Sequence, residues 1–336
     1  MAIRILSNSI KIGDYTLSET STGISFDGIS RVGSTINMAG TYIGGTVSGY
    51  TSGGGSGTYG TTLNNTIDKF PFASNSNATD VGDLTQGRYG LAGQSSTVSG
   101  YSSAGGFPAL NTIDKFPFAT NANATNVGTL TQARYAVTGQ SSSVSGYTSV
   151  GSPITTRNDK FPFATNANAT NVGTLTQARF YSAGQSSTVS GYVSGGTGPP
   201  YVNIIDKFPF ASNFNATDVG DLTVARYGVG GQSSTVSGYS SGGVSPAFAP
   251  AELNVIDKFP FASDANATDV GDLSRLTYYV TGQSSTVSGY TSGGLFTPAF
   301  PTNSNIIDKF PFASNANATD VGDLTVTRAQ PAGQQV

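Results

Sequence analysis

The sequence predicts an all-β protein, a six-bladed β-propeller of four-stranded blades preceded by a short β-rich extension. Three observations lead there. The stretch Asp-Lys-Phe-Pro-Phe recurs six times, starting at Asp68, Asp114, Asp159, Asp206, Asp257 and Asp308, with a period of about 45–51 residues. Each period holds four short runs separated by Gly, Ser, Asn and Asp, and no segment shows helical periodicity. Finally, 19 Phe and 16 Tyr are spread in register through the repeats of a chain that is only 10% charged. That apolar matter is enough to bury when units stack, so the composition is that of a folded repeat protein and not of a disordered chain.

The bulk properties narrow the function classes. The 336 residues carry a formal charge of −3 with no basic cluster, which makes nucleic acid and anionic membrane poor partners. With no cysteine, disulfides and thiolate metal sites are excluded; with no histidine, the commonest general base and metal ligand is missing. The first residues lack a signal peptide's apolar run and no stretch approaches 18 apolar residues, so the expectation is a soluble protein made in a cytoplasm and not inserted in a membrane.

Taken in order, residues 1–36 stand outside the repeat. Ile3, Ile5, Ile10, Ile12, Tyr15 and Leu17 mostly alternate with polar residues, the period of short strands. A segment this short cannot bury enough surface to fold alone, so it is expected to pack on the propeller, pair with another chain or stay mobile. We read it as an anchoring extension and assign residues 37–336 to the propeller.

One full repeat shows the grammar of a blade. Arg88–Ser96 reads as the first strand, Thr97–Tyr101 as the second, Asn111–Ala119 as the third and Ala124–Thr131 as the fourth. On the third, Ile113 and Lys115 point to one side and Asp114, Phe116 and Phe118 to the other, which places Phe faces between neighbouring sheets. Pro117 suits a strand near the outer edge, where a missing donor costs little. The small residues of Gly-Gln-Ser-Ser suit inner strands crowded toward the axis. The C-terminal stretch Arg328–Val336 matches the first strand but lacks the rest of its repeat, so it is expected to complete the first blade, with the segment around 37–45 as the competing donor.

These residues resemble the kelch-type propeller repeat. The double glycine stands at Gly53-Gly54, Gly105-Gly106, Gly195-Gly196, Gly242-Gly243 and Gly293-Gly294, and is degraded to Val150-Gly151 in one copy. The repeat arginine stands at Arg88, Arg134, Arg179, Arg226 and Arg328, with Thr277 in the sixth place. The family's tryptophan is replaced by Val81, Val127, Val172, Val219, Val270 and Val321. The resemblance implies a fold and says little of function.

Candidate sites have plain readings. The six Asn-Ala-Thr triplets match a glycosylation acceptor but read as turns with side-chain to backbone bonds. The Asp80–Asp83 run and its copies suggest calcium ligands, yet two repeats carry Asn126 and Asn171 instead, so no metal is expected. The regularly repeated Asp, Lys and Arg read as framework, each Asp bonding an Arg or a backbone group near a blade interface. No unique catalytic constellation is visible, so neither enzyme activity nor a cofactor is expected.

The loop after the double glycine differs in every repeat. It carries Tyr59, Phe107, Tyr201, Phe248, Phe296 and Phe300, all on one face of the ring, which suits a sugar or another protein. The near-identity of the Asp-Lys-Phe-Pro-Phe-Ala and Asn-Ala-Thr-Asp-Val-Gly-Asp-Leu repeats resembles structural proteins of tailed marine cyanophages. That resemblance implies a virion protein made in the host cytoplasm, anchored on other virion proteins through its leader. The propeller would serve host-surface recognition as a tail-fibre component or, alternatively, act as a capsid or tail decoration protein. Self-association is left open.

Overall fold

A computed structural model describes residues 44–56, 62–106, 108–247, 251–296 and 302–336 in full, together with the backbone of five short strands before position 39. The chain falls into two compact units, Met1–Thr41 and Tyr42–Val336. In the first, Ile3–Leu6, Ser9–Ile12 and Tyr15–Ser18 form an antiparallel meander. Ile29–Val32 pairs with Thr35–Met38, a strand that runs across position 36.

The second unit is six antiparallel sheets of four strands each. Blade 2 consists of Ala92–Ser95, Ser99–Ser103, Leu110–Pro117 and Thr125–Arg134, hydrogen-bonded in that order. Blades 3 to 6 begin with Thr138–Ser141, Ala183–Ser186, Gly230–Ser233 and Thr281–Ser284. Blade 1 takes Ser48–Ser52, Thr66–Pro71 and Thr79–Asp83 from the start of the unit, and Ala332–Gln335 from the end of the chain as its first strand. The ring is thus closed by the C-terminus.

Strand limits differ from the sequence reading in instructive ways. The first strand is only its Ala92–Ser95 half; Arg88–Leu91 instead runs across one end of the ring. Val98, expected inside the second strand, is 66% exposed. The Ser96 hydroxyl accepts the Val98 and Ser99 N–H groups, folding Thr97 and Val98 out as a hairpin tip. Pro117 ends an interior strand, the third of four. The fourth strand begins only opposite Lys115, so beyond that point no neighbour on that side requires the missing donor.

Apolar packing runs circumferentially. Ile113, fully buried, joins Phe161 and Phe163 of the next blade, whereas Phe116 and Phe118 join Tyr50 of the previous one. Each repeat tyrosine lies on its neighbour's Phe-Pro-Phe pair, as Tyr101 does on Phe161 at 5.5 Å and Phe163 at 4.8 Å. Burial pushes the Tyr50 hydroxyl up to about 12, so this interface stays neutral. Within a blade, the Phe116 ring covers Gly100 on the adjacent strand, where a Cβ would meet it at 2.3 Å. Every blade repeats that pairing of glycine with aromatic.

The first strands converge on the axis. Gly93, Gly139, Gly184, Gly231, Gly282 and Gly333 form a ring in which a Cβ on each would lie 2.1–2.2 Å from the carbonyl oxygen of the one before. The glutamine after each glycine reaches into the next blade: Gln94 Nε2 donates to the Tyr147 carbonyl at 2.9 Å and to Ser103 Oγ at 2.9 Å. These strands surround a cavity of about 130 Å³.

Charge is framework in the described residues. Arg88, Arg134, Arg179 and Arg226 pair with Asp114, Asp159, Asp206 and Asp257 at 3.0–3.1 Å, and Arg328 pairs with Asp68, all with fully buried side chains. Burial pushes each of these guanidinium groups down, and its aspartate opposes that shift. Each aspartate also caps the linker from the preceding blade, as Asp159 does for Thr131 through both N–H and hydroxyl.

Blade 6 departs from this rule. Thr277 replaces the arginine, and Asp308, 3% exposed, keeps Oδ1 without a hydrogen bond. Burial pushes its carboxyl up from the ordinary 3.8, with Ser274 hydrogen bonds opposing. Replacing Thr277 with arginine should stabilise the protein by about 1–3 kcal/mol at neutral pH, the worth of hydrogen bonds to a charged group. The melting temperature should rise by about 2–4 °C per kcal/mol. Since a raised carboxyl pKa makes protonation favour the folded state, the difference between wild type and T277R should shrink as pH falls through the Asp308 titration. Thermal melts at several pH values check both statements, and no gain at neutral pH would refute them.

Candidate functional site

The segment between each repeat arginine and the first strand crosses the axis at one end of the ring. Two residues past the arginine position stand Gly90, Ala136, Tyr181, Gly228, Tyr279 and Gln330, all in the left-handed region with φ between 55° and 70°. This turn aims each backbone at the preceding blade. The Tyr181 N–H donates to the Ala136 carbonyl at 3.0 Å, Gly228 to Tyr181 at 2.8 Å, Tyr279 to Gly228 at 2.7 Å, Gln330 to Tyr279 at 2.8 Å and Gly90 to Gln330 at 2.9 Å. Val137 closes the circle on Gly90 at 3.3 Å. Glycine adopts this conformation freely, whereas a bulky tyrosine is strained there.

The two tyrosines gather an aromatic cluster over the axis. Tyr181 and Tyr279 lie 4.6 Å apart, Tyr227 lies 6.2 and 6.0 Å from them, and Phe180 and Tyr278 flank at 5.2 and 4.8 Å. Tyr201, from the loop after the double glycine of blade 4, stacks on Tyr227 at 5.3 Å with an 18° interplanar angle. Side-chain hydrogen bonds join Tyr181 to Tyr279 and Gln330. Burial, then the neighbouring Tyr135 and Tyr89, push the Tyr181 hydroxyl upward; burial, then Tyr181 and Tyr227, do the same for Tyr279. The cluster is therefore uncharged. The carboxylate of Glu252 on the blade 5 loop stands close enough to help raise Tyr227.

The double-glycine loops emerge on this same face. Tyr135 bridges to Ser152, Phe180 to Thr197, Tyr227 to Val244 and Tyr278 to Leu295. Of the loop aromatics singled out in the sequence, Tyr201 is 40% exposed beside the cluster. Phe296 lies at the rim under the Arg275 guanidinium, 4.7 Å from its ring centre. Tyr59, Phe107, Phe248 and Phe300 lie outside the described residues, as do the side chains of Ile3, Ile5, Ile10, Ile12, Tyr15 and Leu17. Sequence reasoning missed Tyr181 and Tyr279, although aligning the position two after the arginine reveals tyrosine where two other repeats have glycine.

The opposite face is built from hairpin tips. Val47, Val98, Val144, Val189, Val236 and Val287 stand 57–67% exposed around it. The chain joins the ring on this side, where the Gly45 N–H donates to Ser284 at 2.8 Å. The Asn-Ala-Thr asparagines lie toward this face and are engaged: Asn123 Oδ1 accepts the Asp83 N–H of the preceding blade at 3.0 Å, and every blade repeats the clasp. In the Asp80–Asp83 run, Asp80 Oδ1 accepts the Gly82 N–H, a local turn bond. Among the described residues no three acidic groups cluster as a metal site would require.

No family model matches the chain, and no curated protein is detectably similar to it.

Proposed function

We propose that this chain is a non-enzymatic virion protein of a tailed bacteriophage, with a kelch-type propeller that presents its loop face to a glycan or protein on the host surface, in the manner of a tail-fibre or receptor-binding component. The observation that carries the reading is polarity along the axis. The variable loops and the uncharged tyrosine cluster share one end, while Gly45 and the exposed hairpin tips lie at the other, so the aromatic end is distinct from the face where the first described residues of the ring pair. Exposed aromatic area around neutral phenols suits recognition through stacking and hydroxyl hydrogen bonds. The arginine–aspartate pairs, wholly buried, are out of reach of any substrate, which supports a binding role over a catalytic one.

A second reading, a capsid or tail decoration or adaptor protein, is favoured by the six exposed valines, an apolar ring suited to contact with other virion chains. Immunogold electron microscopy of intact virions, with an antibody against the propeller, separates the two. Label at the tail tip or fibres is expected; label over the head would favour decoration, and unlabelled particles would overturn both.

A further inference from the structure

The strain at Tyr181 and Tyr279 calls for a reason. Six positions form the circle of backbone hydrogen bonds, and glycine at Gly90 and Gly228 makes it without a side chain. Holding a tyrosine in the left-handed region is strained, and such strain persists where the surroundings enforce it, most often at ligand sites. Here it brings two phenol rings together at the mouth of the axial channel, above a cavity of about 50 Å³.

Below the phenols that cavity is lined by Leu91, Val137, Val229, Val280 and Pro331, and one polar atom in its wall is left open. Ser182, 8% exposed, belongs to the same lining, but its Oγ packs against Gly196 within its own blade, in the place the Val137, Val229 and Val280 methyl groups take in theirs. The open atom is Gln330 Oε1, buried and without a hydrogen-bond partner. A buried amide oxygen left open is costly unless something donates to it. Above it lies an aromatic wall that extends outward through Tyr227 to the exposed, stacked Tyr201. Apolar ring faces beside convergent hydroxyl and amide groups match a pyranose, which has C–H faces and an equatorial belt of hydroxyls. The neutral phenols and the nearby Glu252 carboxylate disfavour an anionic sugar.

We infer that the axial tyrosine cluster is a binding subsite for an uncharged saccharide unit, stacked on the exposed Tyr201 with its tip against Tyr181 and Tyr279 and hydrogen-bonded at Gln330. This rests on the reading of the loop face as the recognition face and names its ligand class.

The test uses the full chain and its Y181G/Y279G variant. Glycine already occupies this position in two blades, so the variant should keep the ring folded, and relief of the left-handed strain offsets part of the lost packing. The probes are neutral glucan, mannan and galactan oligosaccharides, with polygalacturonate fragments as the anionic comparison, titrated by calorimetry. Because the chain has no tryptophan, near-ultraviolet circular dichroism reports the tyrosines directly. At least one neutral probe should bind and perturb the tyrosine signal, and the variant should bind it about tenfold or more weakly. Equal binding by the folded variant would overturn the subsite while leaving recognition elsewhere on the loop face intact. Binding of polygalacturonate alone, or of no neutral probe, would also overturn it. The virion-labelling experiment fails or succeeds independently of these outcomes.

Discussion

Replacing Gly184 with alanine should prevent the propeller from forming a closed ring. The added Cβ would sit 2.2 Å from the Gly139 carbonyl oxygen and 2.9 Å from Thr138 Cγ2, well inside contact distance. Relief would require moving backbone, and the backbone is fixed on both sides because Gly139 is itself pressed on Gly93 and Gly231 on Gly184. The six glycines act as a single shim, so one methyl group must be accommodated by the whole circle. Overpacking a core usually costs about 1–3 kcal/mol where side chains can yield. Here no side chain can yield, so the expected loss is at the top of that range or beyond, from a total that for most domains is about 5–15 kcal/mol. The variant should be largely insoluble or melt at least 10 °C lower, at about 2–4 °C per kcal/mol. An A92G substitution one residue before Gly93 adds no atom at the axis and serves as the comparison, since its cost is that of a lost buried methyl and of glycine's greater chain entropy. A soluble G184A with the wild-type melting temperature would show that the inner strands are not in contact.

Replacing Asp159 with alanine should be nearly as damaging for a different reason. Arg134 would keep its charge in a site with no solvent exposure, with its carboxylate partner at 3.0 Å removed. Removing one member of a buried ion pair costs about 3–5 kcal/mol, mainly because the other charge remains uncompensated. The same change also strips the Thr131 N–H and hydroxyl of their acceptor, releasing the linker from blade 2. D264A provides the contrast. Its bridge to Lys207, 29% and 60% exposed, has a comparable length of 2.9 Å but lies in water, where such pairs contribute about 0–1 kcal/mol. Chemical denaturation of the two variants should therefore differ by several kcal/mol, and similar midpoints would refute the assignment of the arginine–aspartate pairs as framework.

Much of this architecture is legible from the repeat. The alternation of Ile113 with Phe116 and Phe118 assigns the two faces of a blade because one residue step along a strand reverses the side. The glycine ring is legible as small residues near the axis. What the sequence conceals is geometry that depends on the sixfold assembly. Val98 looks like any strand valine, and only the Ser96 turn turns it outward. Gln94 looks like a polar surface residue, yet the next blade supplies the carbonyl that buries it. Tyr181 and Tyr279 are read as ordinary aromatics until the left-handed circle brings residues from distant repeats onto one axis. Substitution at a repeat position, such as Thr277 for arginine, was visible; its effect on Asp308 required knowing that the aspartate is buried.

The closing strand has a consequence for biosynthesis. Ala332–Gln335 pairs with Ser48–Ser52, so blade 1 is incomplete until Ala332–Gln335 has left the ribosome. During translation the earlier blades can fold in sequence as an open arc, with Tyr50 and Gly49 waiting for Gln334 and Gln335. The ring is then closed in one late event that joins the two ends of the unit, and a nascent chain that stops short of Ala332 carries an unpaired strand edge ready to associate with another arc.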